Sequence, residues 1–478
     1  MFHQQKPVIK IQDTDIDTQD ILKKAIDYAS VKSDYCDIRA ITTSSETSAK
    51  TTKEESNSSA ATFGIGIRIL KDGAYAYTSC QKTDLKELKS SIDKASEIAA
   101  NMGKKTKTKA TQKTYKAITD TKKTKVKKDP FEIPAEQKHT LLKDIIRYAT
   151  RKEIAFASAR ISASTARKQF ANTEGSFITT ETTKTILALS TVAKRGQKQT
   201  MNYDVYAKPA GFETFDNLNL EQFANQIAKK AISFLDAVKP PHGKMDVIMS
   251  PAVAGTLVHE VFGHAAEADW IANSRSLLKD KLHTRIGTDI MTIYDDGSMD
   301  GGWGTIYYDD EGIPAKKTIL LDKGILIQYM HSRQTAEKLG MELTGNARAQ
   351  DYTHRIIPRM TNTCLAPGTH TIEEMISMVK KGIVVDKYTT ALEDPAGGSF
   401  ELKTLGGNII ENGELKEPLE RTTLSSSSFI DTFMNISAIS KHMNTMSTGS
   451  CGKGHEDWVS VGNPAPSVLA GNIIVGGN

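Results

Sequence analysis

The chain has 478 residues, enough for two or three domains with cores of their own. Apolar residues make up 38% and charged residues 25%, the balance of an ordinary soluble globular protein and not of a disordered or fibrous one. The formal net charge of +5 suggests an acidic partner, but residues 104–128 hold eleven lysines against the single acid Asp120, so the remainder is mildly acidic.

In chain order, Ile21, Leu22, Ile26 and Ala29 recur near helical spacing and predict a helix over residues 19–32. Residues 35–51 turn β-like. The run FGIGIRILKDGAYAYTS (63–79) predicts a hairpin turning at Asp72–Gly73. A helix follows at 85–101. The lysine-rich stretch 104–128 reads as a linker or an exposed edge strand. Its functional reading is a patch for nucleic acid or an acidic surface, weakened because Tyr115 is the only aromatic available to stack on bases. Residues 134–150 predict another amphipathic helix, 152–207 a run of strands, and 219–237 a helix ending before Lys239–Pro240–Pro241. From residue 244 a short strand, MDVIMS, leads into a helix. Beyond it the chain is β-rich, with hairpin signals at Lys323–Gly324 and Asn412–Gly413.

These elements predict an α+β protein: a small N-terminal α/β domain (18–103), the lysine-rich linker or edge segment (104–130), a β-rich middle domain (131–238), and a large β-rich C-terminal domain (243–478) carrying the helix just named. Cys36, Cys80, Cys364 and Cys451 are scattered without a CxxC pair, which fits a reducing compartment. The start, MFHQQKPVIKIQ, lacks the apolar run of a signal peptide, and no stretch approaches eighteen consecutive apolar residues. A cytoplasmic protein is the expectation.

The helix after MDVIMS contains His259–Glu260–x–x–x–His264. Zinc helices usually read HExxH, where i and i+4 share a face. At i+5 the two imidazoles stand roughly 140° apart on a regular helix. Either the two histidines are unrelated, or the helix breaks or bulges to π geometry so that both reach one ion, a distortion Gly263 would tolerate. In the second case Glu260 points into the open coordination position, takes a proton from a metal-activated water and passes it to the leaving amine. Glu267 and Asp269 are either carboxylates orienting an imidazole or plain helix-end acids. Two histidines leave the ligand set incomplete. Cys451 stands out in the glycine-rich run STGSCGKGHEDW, with Lys453 nearby to favour a thiolate and His455 as a second choice; its alternative is a buried structural cysteine. Asn346, Arg348, Tyr352, His354 and Arg359 fall in one polar block, which either stabilises an oxyanion or packs as a polar loop.

The blocks FGIGIRILKDGAYAYTS, LVHEVFGHAAEAD, the run from Asp295 to Gly340, LTGNARAQDY, IPRMTNT and CGKGHEDWVSVGNPAP occur in the order seen in the TldD/PmbA family, which the chain resembles from about residue 20 onward. The resemblance implies a TldD-type metallopeptidase with His259, His264 and Cys451 as ligands and Glu260 as catalytic base. It also implies one transition metal ion per active subunit, zinc first and iron or cobalt next, and unfolded or extended peptides as substrates. A homodimer, or a heterodimer with a PmbA/TldE-like subunit, follows as the assembly. The tail beyond Cys451 departs from the family pattern with Glu456 and Trp458, which bear on the cleft wall. Two other readings compete: a non-catalytic partner that captures extended segments, and a hydrolase with Cys451 as nucleophile.

Overall fold

A computed structural model describes residues 18–445 and 447–477; the amino-terminal stretch read for a signal peptide lies outside them. The fold is mixed α+β, with 43% strand and 24% helix, so sheets set its architecture.

The first sheet has seven strands: β1 (Tyr35–Thr51), β2 (Glu55–Lys71), β3 (Ala74–Cys80), β4 (Thr119–Lys123), β5 (Ile154–Asn172), β6 (Phe177–Arg195) and β7 (Lys198–Lys208). Their order is β3-β2-β1-β5-β6-β4, with β7 also on β6. Strands from both sides of the lysine-rich segment thus share one sheet. The segment itself contributes β4, an edge strand that runs parallel to β6. Several of its lysines are held locally: Lys113 by Glu342, Lys128 by Asp216 and Lys122 by Asp120.

Strand alternation divides the sheet's faces. Ile38, Ala40, Ile65 and Ile67 pack under helices α1 (Thr18–Ser30) and α2 (Leu85–Lys105). Ala159, Ile161, Leu187 and Leu189 pack under α3 (Ala135–Ala149) and α4 (Leu220–Ser233) on the same face. The opposite face carries Arg39, Arg68, Lys168 and Lys184, and turns to the C-terminal half. There Arg68, held by Asp37 of its own sheet, binds Glu311, and Lys168 pairs with Asp310. Removing one partner of such buried pairs costs about 3–5 kcal/mol, so they fix how the two halves meet.

The second large sheet is built on β8 (Gly243–Met249), the MDVIMS strand. It lies between Lys381–Glu393, which is parallel to it, and Ala465–Gly477, which is antiparallel. Pairing continues through Thr422–Ser426 to Phe400–Glu411, which returns to Lys381–Glu393 and closes the circuit. Closure removes open edges around the core. All three predicted hairpin turns form with both central residues at positive φ: Asp72–Gly73 (52°, 77°), Lys323–Gly324 (45°, 78°) and Asn412–Gly413 (51°, 79°). Among the described residues no helix is long and apolar enough to cross a membrane.

His331 lies buried beside Thr335, and its Nε2 has no hydrogen-bond partner. Burial, with Lys113 adding, pushes it down to about 4. A depressed histidine stabilises the fold fully above its unfolded value of about 6.5, and the contribution fades as pH falls from there to 4. Wild type is therefore expected to lose about 3 kcal/mol over that interval from this group. Urea unfolding at pH 7 and pH 4.5 checks it: His331→Asn should show a visibly flatter pH dependence, and an unchanged one would count against the assignment.

Candidate metal centre

β8 delivers the chain to Ser250, whose hydroxyl caps the amide of Val253, and Pro251 opens helix α5 (Pro251–Leu257). The helix is apolar on every side. Val253, Ala254, Leu257, Val258, Val261 and Phe262 all lie in the main core, as suits a helix without a solvent face. Gly255 passes so close under the Asn463 carbonyl that a Cβ there would overlap it. Asn463 also donates to Thr256 at 3.1 Å, which ties the helix to the segment following the Glu456–Val461 strand.

Beyond Leu257 the helix widens. Val258–Gly263 is a π-helix, and the His264 amide donates to the His259 carbonyl, an i to i−5 bond. A 3-10 turn, His264–Ala266, follows. The distortion brings the two imidazoles together, with ring centroids 5.3 Å apart and planes at 82°. Gly263 does not supply unusual backbone freedom, since its φ is −57°. It is glycine because the Met360 thioether packs where a Cβ would sit, so the sequence-based reason for this residue is corrected.

Cys451 reaches the histidines on the strand Gly449–Lys453, paired with Glu456–Val461. Its Sγ lies 3.3 Å from His264 Nε2. His259, His264 and Cys451 are all buried, and each offers one ligand atom within 4.8 Å of the others. Two imidazoles and a thiolate at this separation fit a tetrahedral zinc-type ion with one position left open. Burial alone would raise the Cys451 thiol, but the adjacent imidazoles hold it well below its usual value. Burial lowers His264; Cys451 and Glu267 more than offset this and lift it well above. The thiol and the imidazoles thus favour each other's charged forms, and binding of an ion there competes with protons on the rings.

Glu267 is fully buried, and its Oε2 accepts from His264 Nδ1 at 3.0 Å. Lys453 stands 3.0 Å from the same oxygen, and Arg359 Nε lies 3.8 Å from the other. Against the upward push of burial, Lys453, His264 and Arg359 bring Glu267 down to about 2. An ionised Glu267 fixes the His264 ring with Nε2 turned to Cys451. Lys453 bonds Asp269 at 2.6 Å as well, so it serves the two carboxylates and not the thiol, as its place beside Cys451 had suggested. Arg359 donates to the Cys451 carbonyl at 2.6 Å and pairs with buried Glu456, which makes Glu456 a strut of the site. Trp458 is 72% exposed.

Glu260 is partly exposed, with Oε2 3.8 Å from His264 Nε2. A residue that the sequence reading missed joins it. Glu393, at the end of the strand Lys381–Glu393, forms a second group with Glu260 and His264, again within 4.8 Å. Burial, with Glu260 adding to it against the pull of His264, pushes Glu393 up to about 7. The remaining candidates lie elsewhere. Asn346 donates to Asp295 and to the Arg359 carbonyl, and Arg348 to the Met360 carbonyl at 2.6 Å, so both hold the segment that packs on Gly263. Tyr352 takes a bond from Gln81, while His354 bonds Asp351 and the His455 carbonyl. Of these, the Gln81–Tyr352 bond joins the two halves of the molecule, and the His354 ring bonds stay within the C-terminal half.

Three domain descriptions of one family match nearly the whole chain. The PmbA/TldA metallopeptidase domain 1 covers residues 37–99, the central domain 128–235 and the C-terminal domain 242–477. The chain belongs to the PmbA/TldA metallopeptidase family. It is 33% identical to a metalloprotease of Methanocaldococcus jannaschii over 88% of this chain and 92% of that one. A zinc metalloprotease TldD homolog of Saccharolobus solfataricus is 32% identical over 65% and 69% respectively. Among solved structures, TldE from Thermococcus kodakarensis shares the fold at a TM-score of 0.76 and 18% identity, covering 96% of this chain and all of that one. A Thermotoga maritima protein described as a candidate modulator of a DNA gyrase does so at 0.80 and 21%, covering 96% and 100%. All three PmbA/TldA domains thus occur here in order, and the π-turn lies in the C-terminal one.

Proposed function

We propose that this PmbA/TldA member is a TldD-type metallopeptidase that hydrolyses unfolded or extended peptides, with His259, His264 and Cys451 holding one transition metal ion and Glu260 acting as general base. The observation that carries this reading is the π-turn, which puts His259 and His264 side by side against Cys451. When bound, the ion supplies Lewis acidity to the scissile carbonyl and to the attacking water. The chain's own residues do the rest. Glu267 orients the His264 imidazole, and burial of the three ligands excludes competing water. Glu260, partly exposed beside His264, takes a proton from the attacking water and returns it to the leaving amine.

The donor set suits zinc, and the Saccharolobus relative is named a zinc enzyme; iron and cobalt accept the same ligands. Cys451 is only 4% exposed and faces two imidazoles, which favours a ligand over a nucleophile open to substrate. Four unpaired cysteines favour a reducing, cytoplasmic setting. The shared fold with TldE supports a dimer of this chain or a heterodimer with a TldE-type subunit.

Protein purified without added metal should carry close to one transition metal ion per chain and degrade an unfolded polypeptide. Chelation should stop the reaction and added metal restore it. Full activity in metal-stripped protein, or no hydrolysis by the loaded protein and its dimer, would overturn the reading.

A further inference from the structure

A cavity of 220 Å³ lies between the helix-free face of the first sheet and the C-terminal half, away from the metal ligands. Its floor is one face of β5 and β6, with Ser164 directly opposite Lys184 and Ala166 opposite Thr182. Its roof includes Tyr307, Arg348 and the strand bearing Trp458. Three cations line it. Lys168 is neutralised by Asp310. The other two have no carboxylate in ion-pair contact among the described residues. Lys184 Nζ donates to the Trp303 carbonyl at 2.6 Å and sits 5.0 Å from that indole ring's centre. Arg348, 8% exposed, spends Nη1 on the Met360 carbonyl.

Other buried arginines nearby are matched, Arg68 by Asp37 and Glu311, Arg333 by Glu174 and Arg359 by Glu456, while Arg39 on the same sheet face bonds only the His354 carbonyl. Two largely buried cations facing one cavity without a carboxylate in ion-pair contact are costly, and each disfavours the other; Asp310 on the wall offsets this only in part at Arg348. Burial, with Arg348 adding, accordingly pushes Lys184 down to about 7. The remaining walls supply hydroxyls from Thr43, Ser164, Thr182 and Tyr307, donors suited to oxygen atoms, and two carboxylates that are already engaged, Asp309 by the Glu311, Ile313 and Ala347 amides and Asp310 by Lys168 and the Ala349 amide.

We infer that this cavity binds a small oxyanion, a carboxylate or phosphate group, between Lys184 and Arg348. The inference stands whether or not the chain hydrolyses peptides, and the cavity contains none of the metal ligands. It is one layer from the metal centre: Arg348 holds the Met360 carbonyl, the Met360 side chain packs on Gly263 of the π-turn, and Val459 on the cavity wall pairs with Cys451. Occupancy is therefore placed to bias the geometry of the metal ligands.

Isothermal titration of the full chain with inorganic phosphate, and with one short peptide as its free C-terminal acid and as its amide, tests this. Saturable binding of phosphate alone assigns a free oxyanion; binding of the peptide acid but not its amide assigns a substrate or product carboxyl end. In either case Lys184→Met should weaken binding about tenfold or more, the loss of a charge-assisted bond. The same variant should melt no lower than wild type, because it removes an uncompensated charge. No saturable binding of any probe, equal binding of acid and amide, or binding unchanged in a folded Lys184→Met protein would overturn the inference.

Discussion

Glu260→Gln is expected to lower kcat for peptide hydrolysis by roughly 10²–10⁴-fold, the range typical for losing a general acid–base group. Gln keeps the side chain's shape and cannot accept the proton. Glu260 stands outside the His259, His264 and Cys451 set, so the variant should keep its metal. Its side chain is partly exposed, so stability should change little. Kinetics on a fluorogenic peptide, run beside metal analysis, separates these effects. A fully metallated variant within about threefold of wild type would remove Glu260 from the mechanism, since proton transfer is worth far more.

Removing a ligand should act differently. His264→Ala deletes the group that bridges Cys451 and Glu267. The metal should be lost, hydrolysis with it, and the protein should melt lower even when both forms are metal-free. Glu267 is fully buried and is left with Lys453 and the distant Arg359 Nε. Breaking a buried charge network of this kind costs about 3–5 kcal/mol. Cys451→Ser should also empty the site, with a smaller effect on the metal-free fold, because Glu267 keeps its imidazole. Metal content and melting curves of the two variants, with and without chelator, check the ranking. Retention of metal by His264→Ala would show that this ring is no ligand.

Much of this was legible in the sequence because it is local. The helices at 19–32, 85–101 and 134–150 follow from apolar spacing, and the three hairpins from Asp-Gly, Lys-Gly and Asn-Gly pairs that accept positive φ. The i, i+5 histidine spacing demanded a distorted helix if both rings were to meet, and the helix is π at those residues. What stayed hidden is long-range. Glu393 lies 133 residues from Glu260 in the chain, at the far end of a strand whose start pairs with β8, and only the folded sheet brings the two carboxylates together. Lys453 looked like the thiol's neighbour and would share its face on a regular strand, but the strand pairing shifts register between Cys451 and Lys453, and the amine ends on Glu267 and Asp269. Gly263 looked like the residue that tolerates the distortion, and the Met360 side chain that packs where a Cβ would sit arrives from almost a hundred residues away. The cavity at Lys184 was equally hidden, because its walls come from both halves of the chain.

His259, His264 and Cys451 are proposed to hold the metal together. Metal-edge X-ray absorption on the purified, metal-loaded protein tests this ligand set most directly. One sulfur at about 2.3 Å with nitrogen or oxygen neighbours at about 2.0–2.1 Å is expected. The sulfur contribution should vanish in any metal retained by Cys451→Ser. A wild-type spectrum without sulfur, or a sulfur shell that survives in Cys451→Ser, would contradict it.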